Sequence, residues 1–182
     1  ERAGAYGELM NKRVGTLGDC ATPMVAMIKG ACVGGGLEVA GLCDIRICGE
    51  SSRFGAPISK LGLVMAYPEI SCLRDLVGPQ VALEILLEGR IMDAPEALQK
   101  GLVSRIVADD EVEAEAMATA QRIADGAPLV HRWHRKFLDR LADPTLLSDA
   151  EKKECFACFD TEDFRTGYQA FLDKKKPEFK GR

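Results

Sequence analysis

The chain has 182 residues, of which 47% are hydrophobic and 29% charged, enough to enclose a sizeable core and too apolar for a disordered polyelectrolyte. With 18 glycines, 8 prolines and no low-complexity repeat it is not fibrous or linker-like. Its net charge of −4 argues against a general nucleic-acid binder but allows a local basic patch for an anionic small molecule.

The apolar positions Tyr6, Met10, Val14 and Leu17 recur at helical spacing between Glu8, Lys12, Arg13 and Asp19, which predicts an amphipathic helix ended by Thr22-Pro23. Val25-Ala26-Met27-Ile28 is strand-like. The glycine turn Gly34-Gly35-Gly36 follows, and then Leu37 to Leu42 with helical composition. Further strands are expected at Ile45 to Cys48 and from Arg53-Phe54. Helices should cover Ile70 to Val77 and, after Gly78-Pro79, Val81 to Leu87. Asp93 should cap the next helix, with Pro95 in the first turn, Glu96 closing a capping box and Gly101 ending it. A strand is expected over Leu102 to Val107, then helices over Val112 to Ala124 and Leu129 to Leu141 and a polar helical tail from Thr145 to about Lys175. The pattern is α/β first and all helix in the last third.

No apolar run reaches eighteen residues, and Glu1-Arg2-Ala3-Gly4 is not followed by an uninterrupted apolar stretch, so neither a membrane partner nor secretion is expected. The seven cysteines are an odd number set mostly in apolar runs, which suits reduced thiols and a cytoplasmic location.

Three glycines between a strand and a helix let the backbone turn sharply and present successive N–H groups to an anion or a polarised carbonyl oxygen; a turn that needs glycine only for close packing is the alternative. Val39 occupies the sixth position of a dinucleotide fingerprint begun at Gly34, and no Gly-Lys-Ser/Thr follows, so two phosphate-loop motifs fail. Glu38, two residues past the triplet in an apolar stretch, suits a general acid or base, because desolvation raises a carboxyl pKa. A first-turn Glu held by the helix dipole is the alternative.

The stretch Ile28-Lys29-Gly30-Ala31-Cys32-Val33-Gly34-Gly35-Gly36-Leu37-Glu38, with Cys43-Asp44-Ile45-Arg46 and Phe54-Gly55-Ala56-Pro57, strongly resembles the crotonase family of enoyl-CoA hydratases and isomerases. The likeness continues through Leu61-Gly62-Leu63, Gly78-Pro79, Leu86 to Ile91, Ala97 to Val103 and Phe171 to Pro177. It implies an α/β fold, a crotonase-like spiral of ββα units, with residues 1–125 as the C-terminal portion of the family core. Residues 126–182 would form a helical region for oligomerisation and part of the CoA site. The resemblance assigns Gly35 as a backbone donor to the thioester oxygen and Glu38 as the acid/base residue, both catalytic. Gly34, Gly36, Pro57, Ile58, Leu61 and Glu69 would line the substrate site, and Phe171 and Lys174 the CoA site. The implied partner is an acyl-CoA thioester, with no metal and no cofactor beyond the coenzyme A of the substrate, in a homotrimer or dimer of trimers. Family members carry a further N-terminal portion with a second oxyanion donor, so the chain is expected to begin after it.

One position departs from the family pattern. A second glutamate usually follows the proline of Phe-Gly-x-Pro, and Ile58 stands there. Glu69, after Val64-Met65-Ala66-Tyr67-Pro68, could replace it; a helix-start Glu after a proline is the alternative. The expected function is water addition to, or double-bond shift in, an enoyl-CoA. Other single-carboxylate enolate chemistry and non-catalytic acyl-CoA binding are the rivals.

Lys174 to Arg182 hold five basic residues, read either as a CoA-phosphate contact or as a solvated tail. Cys155-Phe156-Ala157-Cys158 lacks a second pair for zinc and is read as core packing. His131 and His134, among Arg132, Arg135 and Lys136, read as a basic surface helix rather than metal ligands or members of a protease triad.

Overall fold

The computed structural model describes residues 17–182; the predicted helix from Tyr6 to Leu17 lies almost wholly outside them. The fold begins with β1 (Val25–Ile28), which turns a corner at Lys29-Gly30 into β2 (Ala31–Val33) and then enters α1 (Gly35–Gly41). The second round repeats the plan: β3 (Ile45–Gly49), a corner at Glu50 to Ser52, and β4 (Arg53–Gly55). A 3-10 turn (Pro57–Leu61) then leads to α2 (Tyr67–Glu88). The third round is abbreviated to β5 (Met92–Asp93), α3 (Ala94–Gln99) and β6 (Arg105–Val107). Two three-stranded sheets result, ordered β1-β3-β6, all parallel, and β2-β4-β5, with β4 and β5 antiparallel. Each chain corner passes the backbone from one sheet to the other, which is the ββα spiral.

Gly30 takes φ 77° at the first corner, a conformation that strains any residue with a Cβ. β3 is covered on both faces and so reads as a short, mostly apolar run, and Ile47, Cys48 and Phe54 are fully buried. The Cys43-Asp44-Ile45-Arg46 motif proves architectural. Asp44 Oδ2 accepts the Met24 N–H at 2.6 Å, which aligns the starts of β1 and β3. The buried Arg46 guanidinium donates to the Leu102 carbonyl at 2.9 Å and to the Cys43 carbonyl.

Several expected elements take a different form. β2 and β5 were not expected, since three- and two-residue strands are too short to show a period. The expected strand over Leu102 to Val107 contracts to β6, because Leu102 and Val103 are buried as loop residues. Gly78, with φ 76° and ψ 163°, breaks α2 into two helical segments at the predicted Gly78-Pro79. Asp93 does cap α3, accepting the Glu96 N–H at 3.0 Å, but the Glu96 carboxylate goes to Arg90 instead of closing a box. Arg90 also binds Glu84 and Glu88, and Lys100 binds Glu84, a network that ties the end of α2 to α3.

The described residues divide into two compact units, one holding residues 17–20 and 24–119 and the other residues 120–182 with 21–23. The division falls within α4 (Val112–Ala124), slightly before the boundary expected at 125/126. The second unit contains α5 (Pro128–Leu141), α6 (Asp149–Glu154), a 3-10 turn (Ala157–Asp160) and α7 (Glu162–Asp173). Ser148 and Thr161 cap α6 and α7, so the polar tail is two helices and not one. His131 bonds the Ile123 carbonyl through Nε2 at 2.9 Å.

All seven cysteines are free, but the core-packing reading of the Cys155/Cys158 pair fails: Cys155, which follows the end of α6, is exposed, and Cys158, in the 3-10 turn after it, is only partly covered. Among the described residues no group of metal-ligating side chains is assembled, and no helix is long and apolar enough to cross a membrane.

The basic C-terminus is a strap. The carboxylate of Asp163, only 3% exposed, accepts the N–H groups of Lys180 at 2.7 Å and Gly181 at 2.8 Å. Its own N–H donates to the Arg182 carbonyl. Phe179 lies against Gly167, Lys176 pairs with Asp125, and Lys180 and Arg182 pair with Glu162. The tail is solvated, since its cations stay largely exposed, but it is pinned by acidic partners within the same unit. Asp163→Ala removes two charge-assisted bonds and should cost about 2–3 kcal/mol. Urea unfolding should show that loss, with faster proteolysis at the C-terminus; unchanged stability would mean that the strap is energetically idle.

Candidate active site

β2 ends at Val33, and the chain reverses over Gly34 into α1. Gly34 has φ 55° and ψ −123°, a region closed to residues with a Cβ. Its N–H donates to the Gly55 carbonyl at 2.9 Å, so β4 holds the turn from below. Gly55 must itself be glycine, since a Cβ there would lie 2.6 Å from the Arg90 carbonyl oxygen. Gly35 and Gly36 open the first turn of α1, where backbone N–H groups have no intrahelical acceptor. A Cβ on Gly36 would meet nothing within 4 Å, and one on Gly35 would meet only Glu38 Oε2, at 3.9 Å. The turn is therefore an open shelf of backbone donors with the Glu38 carboxylate beside it.

Glu38 is half-buried on α1, and among the described residues neither of its oxygens takes a hydrogen bond. Its pKa is raised, first by burial and second by the charge of Glu69. The two glutamates, with Leu37, Gly41, Met65, Cys72, Leu73 and Leu76, line one cleft between α1 and α2. Its free volume is about 10 Å³, the room of a single water. Glu69 also accepts the Ala66 N–H at 2.7 Å, so its helix-start role is real as well. A carboxyl whose pKa is raised, beside an open turn of backbone donors, can move a proton next to a carbonyl whose oxygen those donors hold.

The remaining expected site residues are placed as follows. Pro57 opens the 3-10 turn after β4, and Ile58 is half-buried against the hydrophobic core, so this position supplies no carboxylate. Leu61 is exposed, with Leu63, Val64 and Tyr67 also open to solvent. In the other unit Phe171, 80% exposed, lines a hollow of about 330 Å³ with Phe164, Tyr168 and Phe179. Lys174 ends α7 in the left-handed conformation, φ 55°. Cys72 was not foreseen, since a lone cysteine carries no spacing signal. Gly55 was legible as part of the Phe54-Gly55-Ala56-Pro57 motif, but the Arg90 carbonyl that crowds it was not.

Because the folded state raises the Glu38 pKa, the ionised carboxylate costs stability. The penalty is absent below the ordinary glutamate value of 4.5, where folded and unfolded chains both carry the proton. It grows as pH rises from there through the folded pKa and is constant above it. Glu38→Gln should therefore melt higher than the parent at neutral pH, with the gap closing toward pH 4; a pH-independent difference would contradict the desolvated state of Glu38.

The fold and this cleft define a class: a ββα spiral in which a glycine turn of backbone donors adjoins a half-buried carboxylate. The sequence profile of the family described as enoyl-CoA hydratase/isomerase matches residues 1–182. The chain belongs to that family, as the resemblance implied. A short-chain-enoyl-CoA hydratase of Clostridium acetobutylicum is 33% identical over 97% of this chain and 69% of its own length. A relative named "Probable enoyl-CoA hydratase 2, mitochondrial" from Arabidopsis thaliana is 38% identical over 87% of this chain and 54% of its own length. Among solved structures, an enoyl-CoA hydratase/carnithine racemase from Magnetospirillum magneticum superposes with a TM-score of 0.97 at 53% identity, covering 99% of this chain and 67% of that one. Enoyl-CoA hydratase from Bacillus anthracis gives 0.87 at 28% identity, covering all of this chain and 74% of that one. The chain spans 54% of the Arabidopsis relative and 65% of a probable enoyl-CoA hydratase from Mycobacterium bovis, less than two thirds of each.

Proposed function

We propose that the protein acts on an enoyl-CoA thioester, adding water to its double bond or shifting that bond through an oxyanion-stabilised enolate. The observation that carries this is the placement of a half-buried Glu38, without a hydrogen bond to its carboxylate among the described residues, within one helical turn of the open Gly34-Gly35-Gly36 shelf, in a member of the enoyl-CoA hydratase/isomerase family. Gly35 N–H holds the thioester oxygen, Glu38 moves the proton at the adjacent carbon, and Gly34 and Gly36 shape the shelf. Pro57, Ile58 and Leu61 flank the acyl chain. Phe171 and Lys174 serve the coenzyme A portion, which enters as part of the substrate, and no metal takes part.

Ile58 favours a second reading, enolate chemistry that needs one carboxylate only, such as isomerisation. Incubating the full chain separately with short 2-enoyl-CoA and 3-enoyl-CoA decides: a 3-hydroxyacyl product marks hydration, and a 2-enoyl product from the 3-enoyl ester marks isomerisation. Binding of both esters without product would favour the non-catalytic alternative.

We further infer a reducing, cytoplasm-like compartment, supported by the seven free thiols. Assembly as a trimer or dimer of trimers is part of the same reading. It is supported by α5, none of whose residues is fully buried among the described residues and which leaves Leu138 and Leu141 exposed. Residues 126–182 then act as the oligomerising region.

A further inference from the structure

We propose that Glu69 is the second carboxylate of the site, sharing with Glu38 a cleft that holds one water and splitting that water with it. The inference rests on the proposed function and adds to it the residue that makes hydration feasible despite Ile58.

Glu38 projects from α1 and Glu69 from the start of α2, and both line the same space of about 10 Å³, the size of a single water. The Ala66 N–H fixes Glu69 through Oε2 at 2.7 Å, while among the described residues Oε1 accepts no hydrogen bond. Pro68 in the first helical turn pre-sets the backbone at this point. The anchoring that makes Glu69 a capping residue therefore also holds its carboxylate in one place beside Glu38, which is what a positioned water requires. The rest of the lining includes the apolar side chains of Leu37, Met65, Leu73 and Leu76.

The titratable groups that α2 brings to the cleft are Glu69 and Cys72. Arg46 and Asp75 act on Cys72, whose thiol burial pushes upward, so it stays neutral. Glu69 is thus the charge that acts on Glu38, and it raises the Glu38 pKa. The proton balance follows. Glu69 takes a proton from the water as its oxygen bonds to the β-carbon, and protonated Glu38 gives its proton to the α-carbon, so the C=C bond is replaced by C–O and C–H bonds. The proton on Glu69 then returns to Glu38 across the cleft when the next water enters.

Glu69→Gln tests this in the full chain, because the amide oxygen can still accept the Ala66 N–H while the charge and the base are lost. Hydration of a short 2-enoyl-CoA should fall about 10²–10⁴-fold, isomerisation of the 3-enoyl ester should fall far less, and the melting curve should hold. Carboxyl NMR should show the Glu38 titration midpoint moving down, toward the ordinary glutamate range. Hydration at the parent rate with an unmoved midpoint would make Glu69 a helix cap only and overturn the pair, leaving the proposed function intact provided Glu38→Gln is inactive. Activity that survives Glu38→Gln would overturn the proposed function and the pair with it.

Discussion

Glu38→Gln in the full chain should lower turnover of an enoyl-CoA by about 10²–10⁴-fold, the usual contribution of a positioned acid or base, while the protein folds at least as well as its parent. The amide has nearly the shape of the carboxylate and, at this half-buried position, no hydrogen bond from the described residues is lost. Acyl-CoA binding should persist, since the thioester oxygen is held by backbone donors and not by this side chain. The combination matters: lower kcat, retained binding and a higher melting point at neutral pH together separate a proton-transfer role from a structural one. In the parent, the activity profile should show a limb above the ordinary carboxylate range, because burial and the Glu69 charge both raise the Glu38 pKa. A variant as active as the parent would remove Glu38 from the chemistry.

Gly34→Ala should be nearly as damaging, by a different route. At φ 55° and ψ −123° a Cβ costs about 1–3 kcal/mol even with open space around it. Relieving that strain means rotating the peptides on either side of Gly34, and because the Gly34 N–H is held by the Gly55 carbonyl the freer of the two is the peptide that joins Gly34 to Gly35. This is the peptide whose N–H is proposed to hold the thioester oxygen, and losing one such donor costs about 3–4 kcal/mol, or 10²–10³ in kcat. Gly36→Ala is the matched control. Gly36 has no positive φ, its Cβ would meet nothing within 4 Å, and alanine suits a helix better than glycine. Unfolding curves and kcat for both variants should show Gly34→Ala weakened in stability and turnover and Gly36→Ala as stable as the parent. Equal behaviour of the two would mean that the Gly34 conformation does not aim the donor.

The local signals were legible wherever the physics is local. Asp93 caps α3, Gly78-Pro79 breaks α2, and Gly34 turns β2 into α1, because each depends on one residue's own conformational limits. Glu38 was visible as a carboxylate in an apolar stretch next to that turn. Ile58 was visible as a hydrophobic residue where family members usually place a glutamate, but its packing against the core could not be read from the chain alone.

Other features needed the folded chain. β2 and β5 exist only because β4 lies between them and supplies hydrogen-bond partners; segments so short have no stability of their own. Lys176, Lys180 and Arg182 are a run of charge in one dimension and become a strap only when Asp125, Glu162 and Asp163 come alongside. Gly55 is needed because Arg90, far along the chain, brings its carbonyl against it.

The sequence by itself determined the family, the ββα rhythm and the glycine turn with its carboxylate, since backbone conformation and hydrophobic period are properties of neighbouring residues. Only the tertiary structure decided that Glu38 and Glu69, on separate helices, share one water-sized cleft. Burial and the approach of like charges are set by which elements pack together, and the Glu38 pKa responds to both.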